Sequence, residues 1–371
     1  MFSATAIARL GAVSVLKSAK VWWRHLSFFA TLPIMITTAH AEITASTRDW
    51  EVKPDFGKSE DARREISGAA CVQGTRHCIV VNDEKKYAQF FDIDGDRIRP
   101  GRVIRLLPDK IDNISMEEID AEGVHYAPPV KTNEPGYYYV TGSHGLSRKA
   151  GKYKPSTFFL FRFPVDPTTG QPGYPYDDAS VSVQIERTAL LREALRLQPA
   201  LSLYVERQLD QCGVTVEGLA VQGDQLFLGL RAPSIDGDAF LLRFALADLF
   251  KSEVPKSTVK RLPLGPGIGV RDLAAVRNGV LILAGRSLDS DPDPKAPPGC
   301  RSQTELPMPT VWWWSGRDAD APSLLGRLPG VDRSEKAETL LVLEETESEY
   351  RVLVLFDGPD NGGPKEFRID K

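Results

Sequence analysis

The sequence predicts an all-β protein, a β-propeller of about five four-stranded blades, with six as the alternative count. Three observations lead to this fold class. An acidic residue followed by a small or turn residue opens an apolar strand five times along the chain. Between these points, β-branched and aromatic residues alternate with turns of Gly, Pro and Asp, as in strands joined by hairpins. Repeated units of this kind suit a propeller, because its radial closure leaves only short, protected edges.

The repeat defines the elements in order. Its five acids follow one another at spacings of 57, 95, 55 and 66 residues: Glu65, Glu122, Glu217, Asp272 and Glu338. A second strand is predicted after each, at 78–82, 137–141, 226–230, 280–284 and 352–356. The 95-residue spacing contains helical periodicity broken by Pro199, which predicts a short helical insertion near residues 188–211. An N-terminal strand at about 44–52 is predicted to complete the C-terminal blade and close the ring.

The N-terminal 41 residues are predicted to be a cleaved signal peptide, leaving residues 42–371 as a single propeller domain. Four basic residues without any acid precede a short apolar run, and Ala39-His40-Ala41 reads as a cleavage signal. The run is too short for a bilayer span, which needs about 20 residues. A membrane anchor is the less favoured alternative. The protein is therefore expected to be periplasmic or secreted, with no membrane span.

The charge of the chain limits the classes of partner that it is expected to bind. The whole chain carries 46 Lys and Arg against 50 Asp and Glu, and removal of the basic leader makes the remainder more acidic. This balance does not favour nucleic acid or an anionic membrane surface as the partner. A small-molecule or metal ligand suits it, and a protein partner stays open.

Four cysteines in an exported chain predict two disulfides. Cys71 and Cys78 flank a predicted hairpin turn, so they would lie opposite each other on adjacent strands. Of the three possible pairings, this favours Cys71–Cys78 and leaves Cys212–Cys300 as a long-range bridge. That bridge would pin the Asp- and Pro-rich stretch 287–309 across the channel opening as a partial lid.

In a propeller, the first strand of each blade begins where the second strand ends, at the same channel opening. The repeated acids and the residues that follow the second strands are thus expected to meet there. The predicted ligand-binding residues are Glu65, Asp83, Glu122, His144, Glu217, Arg231, Asp272, Arg286 and Glu338. Converging carboxylates repel one another when desolvated, and calcium, which takes six to eight oxygen ligands, would offset this. The predicted calcium ligands are the repeated acids: Glu65, Glu122, Glu217, Asp272 and Glu338. Capping of a neighbouring blade's backbone amides is the alternative role.

Several of these motifs together resemble the bacterial domain-of-unknown-function 3616 family: Glu65-Ile66-Ser67-Gly68, Ala121-Glu122-Gly123-Val124, Gly142-Ser143-His144-Gly145 and Glu217-Gly218-Leu219-Ala220. The resemblance covers nearly all of residues 42–371. It implies a propeller-type fold and no established activity. More distantly, the Glu-Gly-Leu-Ala units resemble esterase-like phytase propellers, which implies an exported protein associated with calcium.

Three hypotheses of function follow. The first is an exported propeller that binds a cation and a small anionic ligand at the acidic face of its channel. The second is a calcium-dependent, phytase-like phosphoesterase, with the acids on the metal and Arg231 and Arg286 on the phosphate. The third is a protein-interaction scaffold, because propellers host all of these classes. No catalytic residue is assigned, and whether the protein is an enzyme stays open.

Overall fold

The computed structural model describes residues 42–148, 151–289, 291–300 and 307–371. The predicted signal peptide lies outside these residues and stays a prediction. Within the described part of the chain, no helix is long and apolar enough to cross a membrane. The described strands form a five-bladed β-propeller, which confirms the predicted fold class and gives five blades rather than six.

The elements follow the chain blade by blade. Before the first blade come β1 (Ile43–Ala45), β2 (Glu51–Val52) and α1 (Glu60–Arg64). Blade 1 contains β3 (Ile66–Cys71), β4 (His77–Asn82), β5 (Tyr87–Asp94) and β6 (Arg97–Arg105), and a small hairpin of β7 (Lys110–Ile111) and β8 (Ile114–Ser115) follows. Blade 2 contains β9 (Ala121–Ala127), β10 (Gly136–Gly142), β11 (Leu160–Val165) and β12 (Glu186–Thr188), and α2 (Leu191–Arg196) follows it.

Blade 3 contains β13 (Thr215–Gln222), β14 (Gln225–Ile235), β15 (Asp238–Ala245) and β16 (Ser257–Leu262). Blade 4 contains β17 (Ile268–Val276), β18 (Gly279–Arg286), β19 (Thr310–Trp314) and β20 (Ser323–Arg327). Blade 5 contains β21 (Lys336–Glu345), β22 (Glu349–Asp357) and β23 (Lys365–Asp370). Short 3₁₀ turns lie at Pro155–Phe158, Leu209–Gln211, Leu246–Asp248 and Asp360–Gly362. All five predicted second strands fall inside β4, β10, β14, β18 and β22.

The first strands of neighbouring blades contact one another around the ring, from β3 to β9, β13, β17, β21 and back to β3. They therefore line the channel. A hydrophobic core fills each interface between blades, since the strands are buried on both faces. Between blades 1 and 2, for example, Phe90 packs with Tyr138 and Phe163. The predicted helical insertion is confirmed as α2, whose Leu191 and Leu195 pack into the core between blades 2 and 3.

The ring closes through the N-terminal strand, as predicted. β1 pairs antiparallel with β23, with Ile43 opposite Ile369, and supplies the fourth strand of blade 5. β2 pairs instead in parallel with β6, with Val52 opposite Ile98, and extends blade 1 to five strands. The predicted strand at 44–52 is thus two strands in two blades, because the chain passes from the last blade to the first within this stretch.

Candidate functional site

Each first strand begins with a break in its register against the second strand, a β-bulge that turns one extra side chain toward the channel opening. In β13, for example, Val216 pairs with Leu230 and Gly218 with Gly229, so Glu217 is the extra residue. The equivalent residues of blades 1 to 5 are Ser67, Glu122, Glu217, Arg271 and Glu338. Glu65 lies two residues before this position and Asp272 one residue after it. The sequence repeat was aligned on its acidic residues, whereas the backbone register of the two strands decides which residue occupies the bulge.

The glycine after the repeated acid has a packing cause. A Cβ atom on Gly123 would lie 2.9 Å from the backbone oxygen of Glu217 in the next blade. A Cβ atom on Gly218 would lie 3.2 Å from the carbonyl carbon of Asp272, again one blade further. First strands of adjacent blades therefore approach too closely for a side chain here. In each Glu-Gly pair, the glycine permits this close approach and the glutamate places a carboxylate at the channel.

Blades 3 to 5 contribute a buried network of acids and arginines. Glu217 contacts Arg231 and Arg271, each at 3.0 Å, and Arg271 also pairs with Glu338. These four residues are between 2% and 7% exposed, so each charge depends on its partners. Burial raises the pKa of Glu338 to about 7, with the charge of Glu217 adding to this effect and Arg271 opposing it. We call these four residues the arginine network.

Asp289 extends this network from the loop that follows β18. Its carboxylate lies 2.7 Å from Arg231, 2.5 Å from Arg148 and 3.4 Å from Arg286. Burial would raise the pKa of Asp289, but Arg231 and then Arg148 outweigh it and hold the pKa below its usual range. Arg231 also donates a hydrogen bond to the backbone oxygen of Ser287, at 3.0 Å. Ser287 and Asp289, at the start of the predicted lid, therefore contact Arg231.

Both predicted disulfides are present, which confirms the pairings Cys71–Cys78 and Cys212–Cys300. Cys71 and Cys78 are register partners of β3 and β4, as the hairpin prediction required. Around Cys300 the loop lies against blade 3, where the Asp236 amide donates to the Gly299 oxygen at 3.1 Å. Whether the whole stretch 287–309 covers the opening stays a prediction, because residues 290 and 301–306 lie outside the described parts of the chain.

Three carboxylates meet where blades 1 and 2 adjoin. Asp83 follows β4, Asp120 precedes β9, and Glu122 lies in the bulge of β9. Each offers an oxygen atom, and these atoms all lie within 4.8 Å of one another. Among the described residues, none of the three forms an ion pair with Lys or Arg. We call them the carboxylate cluster.

No ion pair compensates the charge of the carboxylate cluster among the described residues, although the charge of Lys154 acts on Asp120, and the pKa values reflect this. Burial, followed by repulsion from Asp120, raises the pKa of Asp83 well above its usual range. Burial and then repulsion from Asp83 do the same for the pKa of Glu122. Burial also raises the pKa of Asp120, although a hydrogen bond with Ser143 acts against it. The Ser67 hydroxyl donates to Asp83. Protons or a cation would stabilise this arrangement.

The remaining predicted site residues lie elsewhere. Asp272 accepts the backbone amides of Leu273 and Leu340, both at 2.7 Å, and so ties blade 4 to blade 5. This matches the alternative role of amide capping. Glu65 lies beside Asp357, where burial and then Asp357 raise its pKa while Lys336 opposes the shift.

His144 is fully buried, and neither of its ring nitrogens has a hydrogen-bond partner among the described residues. Burial, followed by the nearby charge of Arg192, lowers the pKa of His144 to about 3, so the ring is neutral at pH 7. Its backbone oxygen accepts a hydrogen bond from Arg192 at 2.7 Å. The structure thus places His144 in the interior behind the channel opening, as a neutral side chain.

Among the charged residues described at this opening, sequence reasoning missed Asp120, Arg271 and Asp289. Arg271 directly precedes a repeated acid, and alignment of the blades by their bulges would have found it. Asp120 lies two residues before Glu122 with a positive φ of 54°, which Asp adopts more readily than most residues. Asp289 lies in a stretch without a strand pattern, so no local signal marks it.

Three solved structures are similar to the chain at low sequence identity. A GH43 β-1,3-galactosidase with galactodeoxynojirimycin is 10% identical, with 88% of this chain and 94% of that chain covered and a TM-score of 0.46. The exo-β-1,3-galactanase of Clostridium thermocellum is 9% identical, with coverages of 87% and 61% and a TM-score of 0.46. The soluble aldose sugar dehydrogenase of Escherichia coli is 10% identical, with coverages of 89% and 99% and a TM-score of 0.40. None of these similarities bears on activity.

No curated protein sequence matches the chain. A family model does match, over residues 175–366, which run from the end of blade 2 into β23. This is more than half of the chain, and it includes Glu217, Arg231, Arg271 and Glu338 of the arginine network. The protein belongs to the family described as "Protein of unknown function (DUF3616)".

Proposed function

We propose that the protein binds a divalent cation, calcium, at the carboxylate cluster of Asp83, Asp120 and Glu122. One observation carries the proposal: three carboxylates from two blades converge within 4.8 Å, without a Lys or Arg ion pair among the described residues. Ionised carboxylates at this separation repel one another strongly. Calcium prefers carboxylate oxygens and tolerates irregular geometry, and the hydroxyls of Ser67 and Ser143 lie beside two of these acids.

Three of the other repeated acids, Glu217, Asp272 and Glu338, are poorer ligands for a cation. Glu217 and Glu338 are already compensated by Arg231 and Arg271, and the Asp272 carboxylate is held by two backbone amides. A cation near them would have to displace these contacts. The proposed ligand set therefore keeps Glu122 from the five predicted metal ligands, takes Asp83 from the predicted ligand-binding residues, and adds Asp120.

An anionic ligand is the second part of the proposal. Arg148, Arg231 and Arg286 converge on the carboxylate of Asp289, so this place already accommodates an anion. A small phosphate or carboxylate would bind there by displacing Asp289. Phosphoester cleavage is a second candidate function, because carboxylates suited to a metal and arginines suited to a phosphate share one channel opening. The two disulfides support export to an oxidising compartment.

Calorimetric titration of the purified chain with calcium, after dialysis against a chelator, tests the cation. We expect one site, and an increase in unfolding free energy of about 2.7 kcal/mol at a calcium concentration of 100 Kd. Asp120→Asn should abolish binding while raising the melting temperature of the metal-free protein, because it removes one repelling charge. Asp96→Asn, in the exposed turn between β5 and β6, is the matched control and should leave both unchanged.

Two results would contradict the proposal. One is the absence of heat and of any melting shift with calcium or magnesium. The other is equal calcium affinity in Asp120→Asn and in the unsubstituted protein. Phosphoester cleavage is tested separately, by turnover of p-nitrophenyl phosphate with and without calcium. Calcium binding without turnover would support the binding proposal and exclude the phosphoesterase function.

A further inference from the structure

A cavity of about 860 Å³ opens at the channel end opposite the carboxylate cluster. All five first strands contribute the residues near their ends to its wall, at 69–72, 124–126, 221–223, 273–277 and 340–345. The carboxylate cluster and the arginine network lie at the starts of the same strands. This volume falls within the range of about 300–1,000 Å³ that is usual for small-molecule sites.

The inner wall combines apolar side chains with polar backbone groups. Val72, Val124, Val221 and Leu341 line it, and Tyr126 adds an aromatic side chain. Each first strand has a sheet neighbour on one side only, so backbone groups along its other edge face the channel. The wall therefore offers apolar contact together with main-chain hydrogen-bond donors and acceptors. This combination suits an organic molecule better than a bare ion.

His125 also lines the cavity, and its ring hydrogen-bonds with the backbone at Val221. Burial lowers the pKa of His125 to about 4, although this hydrogen bond opposes the shift. The imidazole is thus neutral at pH 7 and adds no charge to the wall. The charge of the cavity comes from its mouth.

Four arginines and two glutamates are the charged residues of that lining: Arg48, Arg76, Arg277, Arg351, Glu344 and Glu345. Glu345 is compensated by Lys371 at 2.8 Å, while the Arg277 guanidinium donates to the Glu345 backbone oxygen instead. Arg351 lies 3.6 Å from Glu344, and Arg76 is 72% exposed and 3.8 Å from Asp94. The mouth is therefore positive, although the whole chain has a formal charge of −4.

We propose that this cavity binds a small organic anion. Its apolar part would lie against the ends of the first strands, and its carboxylate, sulfonate or phosphate group would meet Arg76 and Arg351 at the mouth. The proposal is independent of the cation site, because the two lie at opposite ends of the channel. It rests on the cavity, on the apolar side chains and backbone groups of its wall, and on the excess of arginines at its mouth.

The test uses 8-anilinonaphthalene-1-sulfonate, an aromatic anion whose fluorescence rises on binding. N-phenyl-1-naphthylamine has the same aromatic body without the sulfonate and is the matched neutral probe. We expect saturable binding of the anion at one site, with an affinity at least tenfold higher than that of the neutral probe. The double variant Arg76→Ala/Arg351→Ala should weaken binding of the anion at least tenfold.

Arg187→Ala removes an exposed arginine from the outer strand of blade 2 and is the control, with no change expected. Melting curves recorded in the same buffers establish that each variant is folded. If the double variant melts early, the single variant Arg76→Ala, at a side chain exposed to solvent, provides the comparison. Lack of saturable binding, equal affinity for both probes, or an unchanged affinity in the folded arginine variants would overturn the proposal.

Discussion

At the scale of single residues, Glu217 joins two arginines that would otherwise face each other. Its carboxylate contacts Arg231 and Arg271, each at 3.0 Å, and only 2% of the residue is exposed. Burial would lower the pKa of Arg231, yet Glu217 and Asp289 outweigh it and raise that pKa. The arginines of this opening are therefore charged, and each needs its acid.

Replacement of Glu217 by Gln should destabilise the fold by about 3 kcal/mol, because loss of one partner leaves buried charge uncompensated. The free energy of unfolding in urea measures this effect. Glu253→Gln, at an exposed position in the loop between β15 and β16, is the control and should change stability by less than about 0.5 kcal/mol. An unaltered unfolding curve for Glu217→Gln would show that the network does not hold the channel opening together.

The raised pKa values predict a decline in stability with rising pH. For Glu338 the pKa is about 7 in the folded state against 4.5 ordinarily, so folding favours its protonated form. This contribution is fully present below pH 4.5 and is lost as pH rises to about 7, at about 1.4 kcal/mol per pKa unit. The raised pKa values of Asp83 and Glu122 also make stability fall as pH rises. The lowered pKa of Asp289 has the opposite effect, and it changes stability only at more acidic pH.

Melting temperatures in chelator between pH 4.5 and 8 check this pH dependence. Glu338→Gln should flatten the decline, and calcium should reverse the part that comes from the carboxylate cluster. A melting temperature that rises steadily across this window would contradict the prediction.

At the scale of elements, the two disulfides differ in the length of chain that they close. Cys212–Cys300 spans 88 residues and Cys71–Cys78 spans 7. In the chain-entropy account, loops of these lengths correspond to about 4.5 and about 2.5 kcal/mol. Cys212→Ala/Cys300→Ala should therefore lower the melting temperature more than Cys71→Ala/Cys78→Ala, and each pair serves as the control for the other. Equal losses would show that the long loop is held by its other contacts.

Local signals predicted the strands, the hairpin bridge and α2, because side-chain periodicity and turn residues act within one element. Strand register is set by contacts between elements, and the sequence was less informative about those contacts. The bulges place Ser67 and Arg271 at the channel where the acid pattern had selected Glu65 and Asp272. Two of the three residues of the carboxylate cluster were predicted. Asp83 and Glu122 follow from the ends of predicted strands, while Asp120 depends on how blades 1 and 2 meet.

At the scale of the whole molecule, closure depends on three residues of β1 paired with β23. Deletion of residues 42–46 should expose the edge of β23 and remove Ile43 from the core between blades 4 and 5. We expect a lower melting temperature and concentration-dependent self-association, because an open strand edge is a template for another chain. Light scattering after size-exclusion chromatography measures the association. A monomer with an unchanged melting temperature would mean that the ring closes without β1.

Each first strand separates two sets of charges along the axis of the ring. The carboxylate cluster and the arginine network lie where these strands begin, and the arginines of the cavity mouth lie where they end. Five residues of strand correspond to about 17 Å, at about 3.3 Å per residue, which is roughly twice the Debye length in physiological salt. In solution, the charges of the two openings are therefore largely screened from each other. A cation at the carboxylate cluster and an organic anion at the cavity mouth would therefore hardly affect each other's affinity, and either end can change its charge without altering binding at the other.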